Sequence, residues 1–185
     1  MRQLPSRNLD SKTFIAAAAF LCMPAYSNSA NSMDIEVDPA DFIMGGYRIH
    51  AGYIRLPLRV DLGIIGVEIP STFHGNEDFS YDLFGVIGRV DYLFDSYENL
   101  FVGLECTQMR NRYTHKPTKS STTRYPFLLA TRIGYRFRFF EHLTVTPWVG
   151  LGVLLNKGDD FVVDSDKFKT PTFNAFPTIH LGWAF

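Results

Sequence analysis

Two histidines, His180 and His50, are the side chains of this sequence best suited to acid–base chemistry. Each lies in a segment where apolar and polar residues alternate, on the polar face of that segment. Acyl transfer by a histidine requires a nucleophile within hydrogen-bond reach. No serine stands at strand spacing from His180, so the pattern favours a hydrogen-bonded interior histidine. Cross-strand neighbours do not follow from the sequence, and a role as catalytic base therefore stays open for both residues.

A second set of chemically capable side chains is ionic. The same polar faces carry acids and bases at alternate positions, and three arginines share one face of residues 125–139. A charge that faces hydrocarbon is costly, and so is an unpaired charge in an interior. The sequence therefore predicts an internal network of paired charges and water, made by Arg48, Arg59, Asp61, Arg89, Asp91, Glu105, Arg132, Arg136 and Arg138.

A third candidate is an acidic loop within residues 158–166, which contains Asp159, Asp160, Asp164 and Asp166. Calcium prefers such oxygen ligands. The spacing does not match a calcium-binding loop, so a solvated acidic loop is the favoured interpretation. We predict no metal and no cofactor.

The elements that must position these residues are strands, because the sequence alternates with a period of two and has few helical stripes. The clearest segments are residues 125–139, 143–156 and 172–185. Four more show the same alternation, namely residues 42–53, 58–69, 82–94 and 100–113.

An eighth strand is expected, since single-chain bacterial barrels have an even strand count. Residues 33–37 are the best candidate, although they are short for a spanning strand. Pro39 ends this segment early, so either the first strand is stunted or residues 39–44 form a helical turn. The fold class is therefore an all-β, antiparallel, up-and-down transmembrane barrel, with eight strands.

Loop lengths orient this barrel. Residues 54–57, 95–99 and 140–142 form short connections, which are typical of the periplasmic side, whereas residues 70–79, 115–124 and 157–171 form long ones, which are typical of the outside. In this orientation an aromatic girdle lies at the periplasmic side, formed by Tyr92, Phe94, Phe137, Phe139, Trp183 and Phe185.

The amino terminus predicts a secretory signal peptide over residues 1–30. Arg2, Arg7 and Lys12 precede an apolar run over residues 13–23, and cleavage is expected near Ala30, with Ala25 as the alternative. The apolar run is too short for a spanning helix. Residues 31–185 would then form one barrel domain with Cys106 as its single cysteine, so that no internal disulfide can form.

Composition excludes one class of partner. The chain has 18 Lys and Arg against 19 Asp and Glu, a formal net charge of −1. A nucleic-acid partner would require a basic stripe, so none is expected. The aromatic content of 15% agrees with rings at two membrane interfaces.

The ending H-L-G-W-A-F and the P-W-V-G-L-G segment resemble the small outer-membrane β-barrel superfamily, that of the OmpA membrane domain, OmpX, OmpW and the opacity proteins. The resemblance implies a location in the outer membrane of a Gram-negative bacterium. It also implies an assembly signal in Leu181, Gly182, Trp183 and Phe185 that the outer-membrane assembly machinery recognises. Outer-membrane lipids and lipopolysaccharide are the other expected partners, and a monomer is expected.

That superfamily contains adhesins, structural proteins, conduits and lipid-modifying enzymes, so the resemblance does not specify one activity. The favoured hypothesis is a non-enzymatic barrel that acts in envelope integrity or in surface interaction through its extracellular loops. One alternative is a lipid A-modifying enzyme with His180 or His50 as base. The other is a narrow, porin-like conduit for small or hydrophobic molecules.

Overall fold

The computed structural model describes residues 31–94, 100–158, 160–163 and 166–185. The predicted signal peptide and the predicted turn at residues 95–99 lie outside these ranges. No helix in the described part of the chain is long and apolar enough to cross a membrane. The strands are β1 (Asn31–Val37), β2 (Tyr47–Arg55), β3 (Leu58–Ile69), β4 (Phe79–Leu93), β5 (Leu100–His115), β6 (Ser121–Arg124), β7 (Phe127–Tyr135), β8 (Phe137–Phe139), β9 (Leu143–Leu155), β10 (Phe161–Val163), β11 (Asp166–Phe168) and β12 (Phe173–Ala184).

These strands close into an antiparallel barrel. Pairing runs through β1, β2, β3, β4, β5, β7, β9 and β12, and β12 returns to β1. β6, β7 and β8 are successive pieces of one wall strand, because β6 and β7 pair with β5 while β7 and β8 pair with β9. The prediction of an eight-stranded up-and-down barrel is therefore confirmed.

The strand register shows how strongly the wall is tilted. A circuit of the barrel that starts at Ile35 and passes from each residue to its pair on the next strand ends at Phe173 of β12. Ile35 itself pairs with Trp183 of the same strand. The register thus advances by 183 − 173 = 10 residues in one circuit. A stagger of this kind links strand tilt to barrel diameter, and with eight strands the interior is just wide enough for side chains to fill.

The amino-terminal end differs from the predicted strand over residues 42–53. A short helix, α1 (Pro39–Ile43), precedes β2, and Asp38 caps it by accepting a hydrogen bond from the backbone N–H of Ala40 at 2.9 Å. Proline at the first helical position and an acidic N-cap both favour this turn. The helical-turn alternative is therefore the correct one, and Phe42 belongs to α1.

The long connections also contain structure that the alternation did not predict. A second short helix, α2 (Ser71–His74), joins β3 to β4, and β10 pairs with β11 as a small hairpin between β9 and β12. We call the end of the barrel that carries these connections the loop end. The opposite end, with the connections at residues 56–57 and 140–142, is the turn end.

The interior is layered from the turn end to the loop end. Ile54, Leu93, Phe101 and Trp148 form an apolar layer at the turn end, followed by the charged side chains. Two apolar clusters come next, and a ring of aromatic side chains closes the loop end. The apolar clusters comprise Met109, Leu128, Ala130 and Leu154, and Ile65, Val67 and Ile87.

Candidate functional site

The charged layer is centred on Arg59 of β3, whose guanidinium is buried. Its Nε and Nη2 atoms donate to the two carboxylate oxygens of Asp34 at 2.9 and 2.7 Å. Nη2 also donates to Asp61 at 2.8 Å, and Nη1 donates to Asp91 at 3.4 Å. Paired, hydrogen-bonded geometry of this kind is what makes buried charge tolerable.

Glu36 of β1 connects this centre to the opposite wall. Its carboxylate accepts from Arg136 at 2.9 Å and from the Thr146 hydroxyl at 3.2 Å. It also lies 3.1 Å from Arg59. Arg136 in turn contacts Asp34 at 2.9 Å, so the short strand β1 supplies acids to arginines on two sides of the lumen.

A second part of the charged layer surrounds Trp148. Arg89 donates to Glu105 at 2.7 Å, and Arg132 contacts Asp91 at 3.3 Å. Both guanidiniums lie over the indole ring, at 4.9 and 4.3 Å from its centroid. These cation–π contacts connect the ionic layer to the apolar layer at the turn end.

The two candidate histidines meet in this layer. Their rings stack with centroids 5.1 Å apart. His50 Nδ1 bonds Asp61 at 2.8 Å, and His180 Nδ1 bonds Glu36 at 3.2 Å. The His50 ring lies directly against Gly63, where a Cβ would come within 2.2 Å of Nδ1, so this glycine makes room for the ring.

The surroundings of both histidines consist of carboxylates and rings. Thr146 and Thr178 are nearby hydroxyls, but Thr146 donates to Glu36 and Thr178 donates to Asp38. No serine of the described chain hydrogen-bonds to either ring, and both side chains are fully buried. The hydrogen bonds seen for the two rings in the described chain are thus made with carboxylates, Asp61 for His50 and Glu36 for His180.

The remaining predicted network residues lie at the two edges of the layer. Arg48 contacts Asp41 of α1 at 2.7 Å and Asp38 at 3.5 Å. Arg138 is half-buried on the inner face of β8 near the turn end. Every residue of the predicted network thus faces the interior, and Arg48 and Arg138 are its least enclosed members.

Sequence reasoning missed the acids of the amino-terminal segment. Asp34, Glu36 and Asp38 are buried and contact arginines of the network, although the predicted network did not include them. Two signals could have found them. Asp34 and Glu36 alternate with Ile35 and Val37, and the predicted network held six arginines against only three carboxylates.

The structure describes the acidic loop only in part. Asp160 accepts a hydrogen bond from the backbone N–H of Thr170 at 3.4 Å. Asp159 and Asp164 lie outside the described residues, and for Asp166 only the backbone is described. Within the described ranges no group of His, Cys, Asp and Glu has a metal-binding arrangement.

The predicted assembly-signal residues lie at the turn end of β12. Leu181 is exposed and faces outward, and the Trp183 ring stacks on His142 at 5.2 Å. A Cβ on Gly182 would come within 2.5 Å of the Thr144 hydroxyl oxygen. The backbone N–H of Phe185 donates to Met33 at 2.8 Å.

The loop end is closed by rings. Phe168, the last residue of the β10–β11 hairpin, packs among Phe79, Tyr81 and Tyr113, with centroids 4.6–6.1 Å away. His74 packs against the same ring at 5.4 Å. Burial, together with the nearby Lys116 charge, lowers the pKa of His74.

Comparisons with known proteins found likenesses of structure alone. No protein-family model and no curated protein matches the chain. The chain is similar to the N-terminal β-barrel domain of Pseudomonas aeruginosa OprF, with 11% identity, a TM-score of 0.49, and coverage of 83% of this chain and 97% of that one. It is also similar to Neisserial surface protein A, with 14% identity, a TM-score of 0.48, and coverage of 84% and 96%.

A major outer membrane protein of Thermus thermophilus gives 12% identity, a TM-score of 0.48, and coverage of 84% and 98%. The barrel assignment rests on the strand pairing of this chain itself.

Proposed function

We propose that the chain is an integral outer-membrane β-barrel protein without enzymatic activity, which acts through its loop end at the cell surface or in envelope integrity. The observation that carries this proposal is the outward face of the wall. Among the described residues, the charged side chains of this face lie toward the two rims of the wall, with Arg55 at the turn end and Glu68, Asp82, Arg110 and Arg112 in the loop-end part of their strands. An uncharged band between polar rims is what a bilayer requires of a barrel.

Aromatic side chains border this band on both sides. Exposed rings at the turn end are Tyr53, Tyr92, Phe94, Tyr135, Phe137 and Phe139. Phe84, Tyr125 and Phe173 are exposed toward the loop end. Rings at two levels match the aromatic girdles of membrane barrels. The long connections of the loop end favour an orientation with this end outside and the turn end in the periplasm.

The filled interior supports a non-enzymatic role. His180 and His50 bond carboxylates and have no access to solvent, while catalysis needs a reactive group that a substrate can reach. Mass spectrometry of lipid A, from cells with and without the gene, tests this part of the proposal. We expect the same acyl pattern in both kinds of cell. The proposal is contradicted if loss of the gene alters the pattern and a His180→Ala variant produces the same alteration.

The membrane location is tested by electrophoresis of the purified protein. A folded membrane barrel should migrate differently in SDS gels before and after boiling, and should require detergent for extraction. Identical migration combined with solubility in detergent-free buffer would overturn the proposal in favour of a secreted barrel. Recognition by the assembly machinery and a monomeric state are part of the same proposal.

Lipopolysaccharide is the partner that we propose for the outer rim. Arg110 and Arg112 of β5 are exposed on the outward face, directly beyond the apolar band, and Arg110 has Phe84 as its cross-strand neighbour. Guanidinium groups suit phosphate, and the proposed membrane location would bring lipid phosphates to this rim. Replacing both arginines by alanine should weaken lipopolysaccharide binding, whereas Lys119→Ala at a loop tip should not. Equal binding by both variants would contradict this partner.

A further inference from the structure

The outer rim carries an arginine that stands between two aromatic residues on neighbouring strands. Arg110 of β5 has Phe84 of β4 as its cross-strand partner. On the other side, residue 111 pairs with residue 124 and residue 108 pairs with residue 127, and the same register sets Arg110 opposite Tyr125. All three side chains face outward and are exposed, Phe84 by 44% and Tyr125 by 63%. The outer surface therefore presents a ring, a guanidinium and a second ring in one row.

Tyr125 is held in this row although the wall strand is interrupted at that point. Tyr125 and Pro126 separate β6 from β7, and the proline has no N–H to donate. The backbone N–H of Met109 donates to the Pro126 carbonyl at 3.0 Å. Gln108, on the outward face of β5, donates from Nε2 to the carbonyls of Tyr125 and Pro126 at 3.4 and 3.2 Å. These hydrogen bonds fix the interruption against β5 and keep Tyr125 beside Arg110.

The row lies at the border between the uncharged band and the charged rim. One step toward the turn end, the outward residues of the same strands are Val86, Gln108 and Phe127. One step toward the loop end, they are Asp82, Arg112 and Thr123. In the proposed membrane location, this border is the level at which lipid tails end and head groups begin.

The charges of this rim differ in what stands beside them. Glu68 of β3 and Asp82 of β4 are cross-strand partners, and Asp82 is also the partner of Arg112. The acids therefore lie on the β3–β4 side, and one of them adjoins Arg112. Both cross-strand neighbours of Arg110 are instead aromatic. Of the two rim arginines on β5, Arg110 is thus the one better placed to bind an anion, because no carboxylate stands directly opposite it.

We propose that Phe84, Arg110 and Tyr125 form a site for the phosphorylated sugar head group of an outer-leaflet glycolipid. The guanidinium binds the phosphate, which its planar donors suit, and the rings cover the apolar C–H face of the sugar, whose removal from water is favourable. Cross-strand neighbours lie about 5 Å apart, so the two rings flank a space about 10 Å wide, into which a pyranose ring fits. The inference rests on the proposed function and deepens it, because the sugar is recognised in addition to the charge.

Binding of two anionic lipids to the full mature barrel in detergent tests this site, with native mass spectrometry as the measurement. One probe is lipid A, a phosphorylated glucosamine disaccharide with acyl chains, and the other is phosphatidylglycerol, which has a phosphate but no sugar. The double variant Phe84→Leu with Tyr125→Leu should bind lipid A about tenfold more weakly. It should bind phosphatidylglycerol as the unaltered protein does, whereas Arg110→Ala should weaken binding of both lipids.

The matched control removes two exposed rings at the turn end, with Tyr92→Leu and Phe137→Leu, and should leave binding of both lipids unchanged. Heat-modifiable migration in SDS gels confirms that each variant is folded. If the double variant at the rim does not fold, the single variant Phe84→Leu should show the same selective loss of lipid A binding.

Three outcomes separate this site from the function on which it rests. If the folded rim variant loses both lipids equally, or neither, the sugar site is overturned while a partner bound by charge alone stands. If the folded, unaltered protein binds no lipid A, the lipopolysaccharide partner is overturned as well. Identical migration before and after boiling, with solubility in detergent-free buffer, would overturn the membrane location itself.

Discussion

At the scale of single residues, Glu36 is the carboxylate on which the interior depends most directly. It contacts Arg136, Arg59, Thr146 and His180 and is fully buried. Glu36→Ala would remove one carboxylate partner from each of two buried guanidiniums, those of Arg136 and Arg59. We expect the free energy of unfolding to fall by about 3–5 kcal/mol, the cost typical of breaking a buried ion pair.

Urea unfolding in lipid vesicles, followed by tryptophan fluorescence, measures this loss. The outward Glu68 on the loop-end rim is the matched control, and Glu68→Ala should change the free energy of unfolding by less than about 0.5 kcal/mol. Equal stability of the two variants would show that the interior network contributes no more than a surface acid.

His74 is expected to make the loop end sensitive to pH. Burial lowers its pKa, so the packed state favours the neutral ring, and protonation opposes packing against Phe168. The stabilisation of the loop end by the neutral His74 ring is complete above the unfolded histidine pKa of about 6.5. It declines as pH falls through that value towards the lower pKa of the folded protein. Protease cleavage after Lys169 should therefore accelerate at pH 5.5 relative to pH 7.5.

Cleavage rates would be normalised to an unstructured peptide at the same pH. His74→Phe should remove the pH dependence, whereas His115→Phe, which alters the neighbouring histidine that packs at a tilt against Phe79, should retain it. If cleavage of the His74→Phe protein depends on pH as strongly as cleavage of the unaltered protein, another group causes the effect.

At the scale of elements, β12 forms the seam of the barrel because it pairs with both β9 and β1. The seam with β1 is only four residue pairs long, so the turn end of β12 must form it accurately. Phe185→Ala should lower the amount of heat-modifiable protein in cells, since an assembly signal acts before the seam closes. The purified variant should refold in detergent like the unaltered protein.

The matched control for this prediction is Phe173→Ala at the opposite end of the same strand, which should assemble normally. Similar cellular amounts of both variants would contradict an assembly role for the terminal residue. Poor refolding of Phe185→Ala in detergent would instead assign its effect to stability.

Elements also show what sequence could and could not reveal. Period-two alternation predicted the wall strands and their inner faces, since each residue on a strand has only two directions. Phe176 was not recognised as an interior side chain, because an aromatic residue on the polar face breaks the pattern. Pairing between distant strands is invisible to periodicity, so the meeting of His50 with His180, and of Arg59 with Asp34, required the structure.

At the scale of the whole molecule, the barrel is sealed in layers. Rings close the loop end, apolar clusters follow, the ionic layer fills the middle, and Phe101 with Trp148 closes the turn end. An eight-stranded barrel has little space beyond its side chains, and a hydrated ion would have to displace several layers in turn. Planar-bilayer recording of the purified protein should therefore show no discrete conductance steps.

A seal that is distributed over layers predicts a specific response to mutation. Replacing Phe101 and Trp148 by alanine opens only the turn end, so the double variant should also lack conductance steps, while a wide porin in the same bilayers shows them. Steps in the double variant alone would mean that one layer provides the seal. Steps in the unaltered protein would favour the conduit alternative, because a permanently filled interior cannot pass ions.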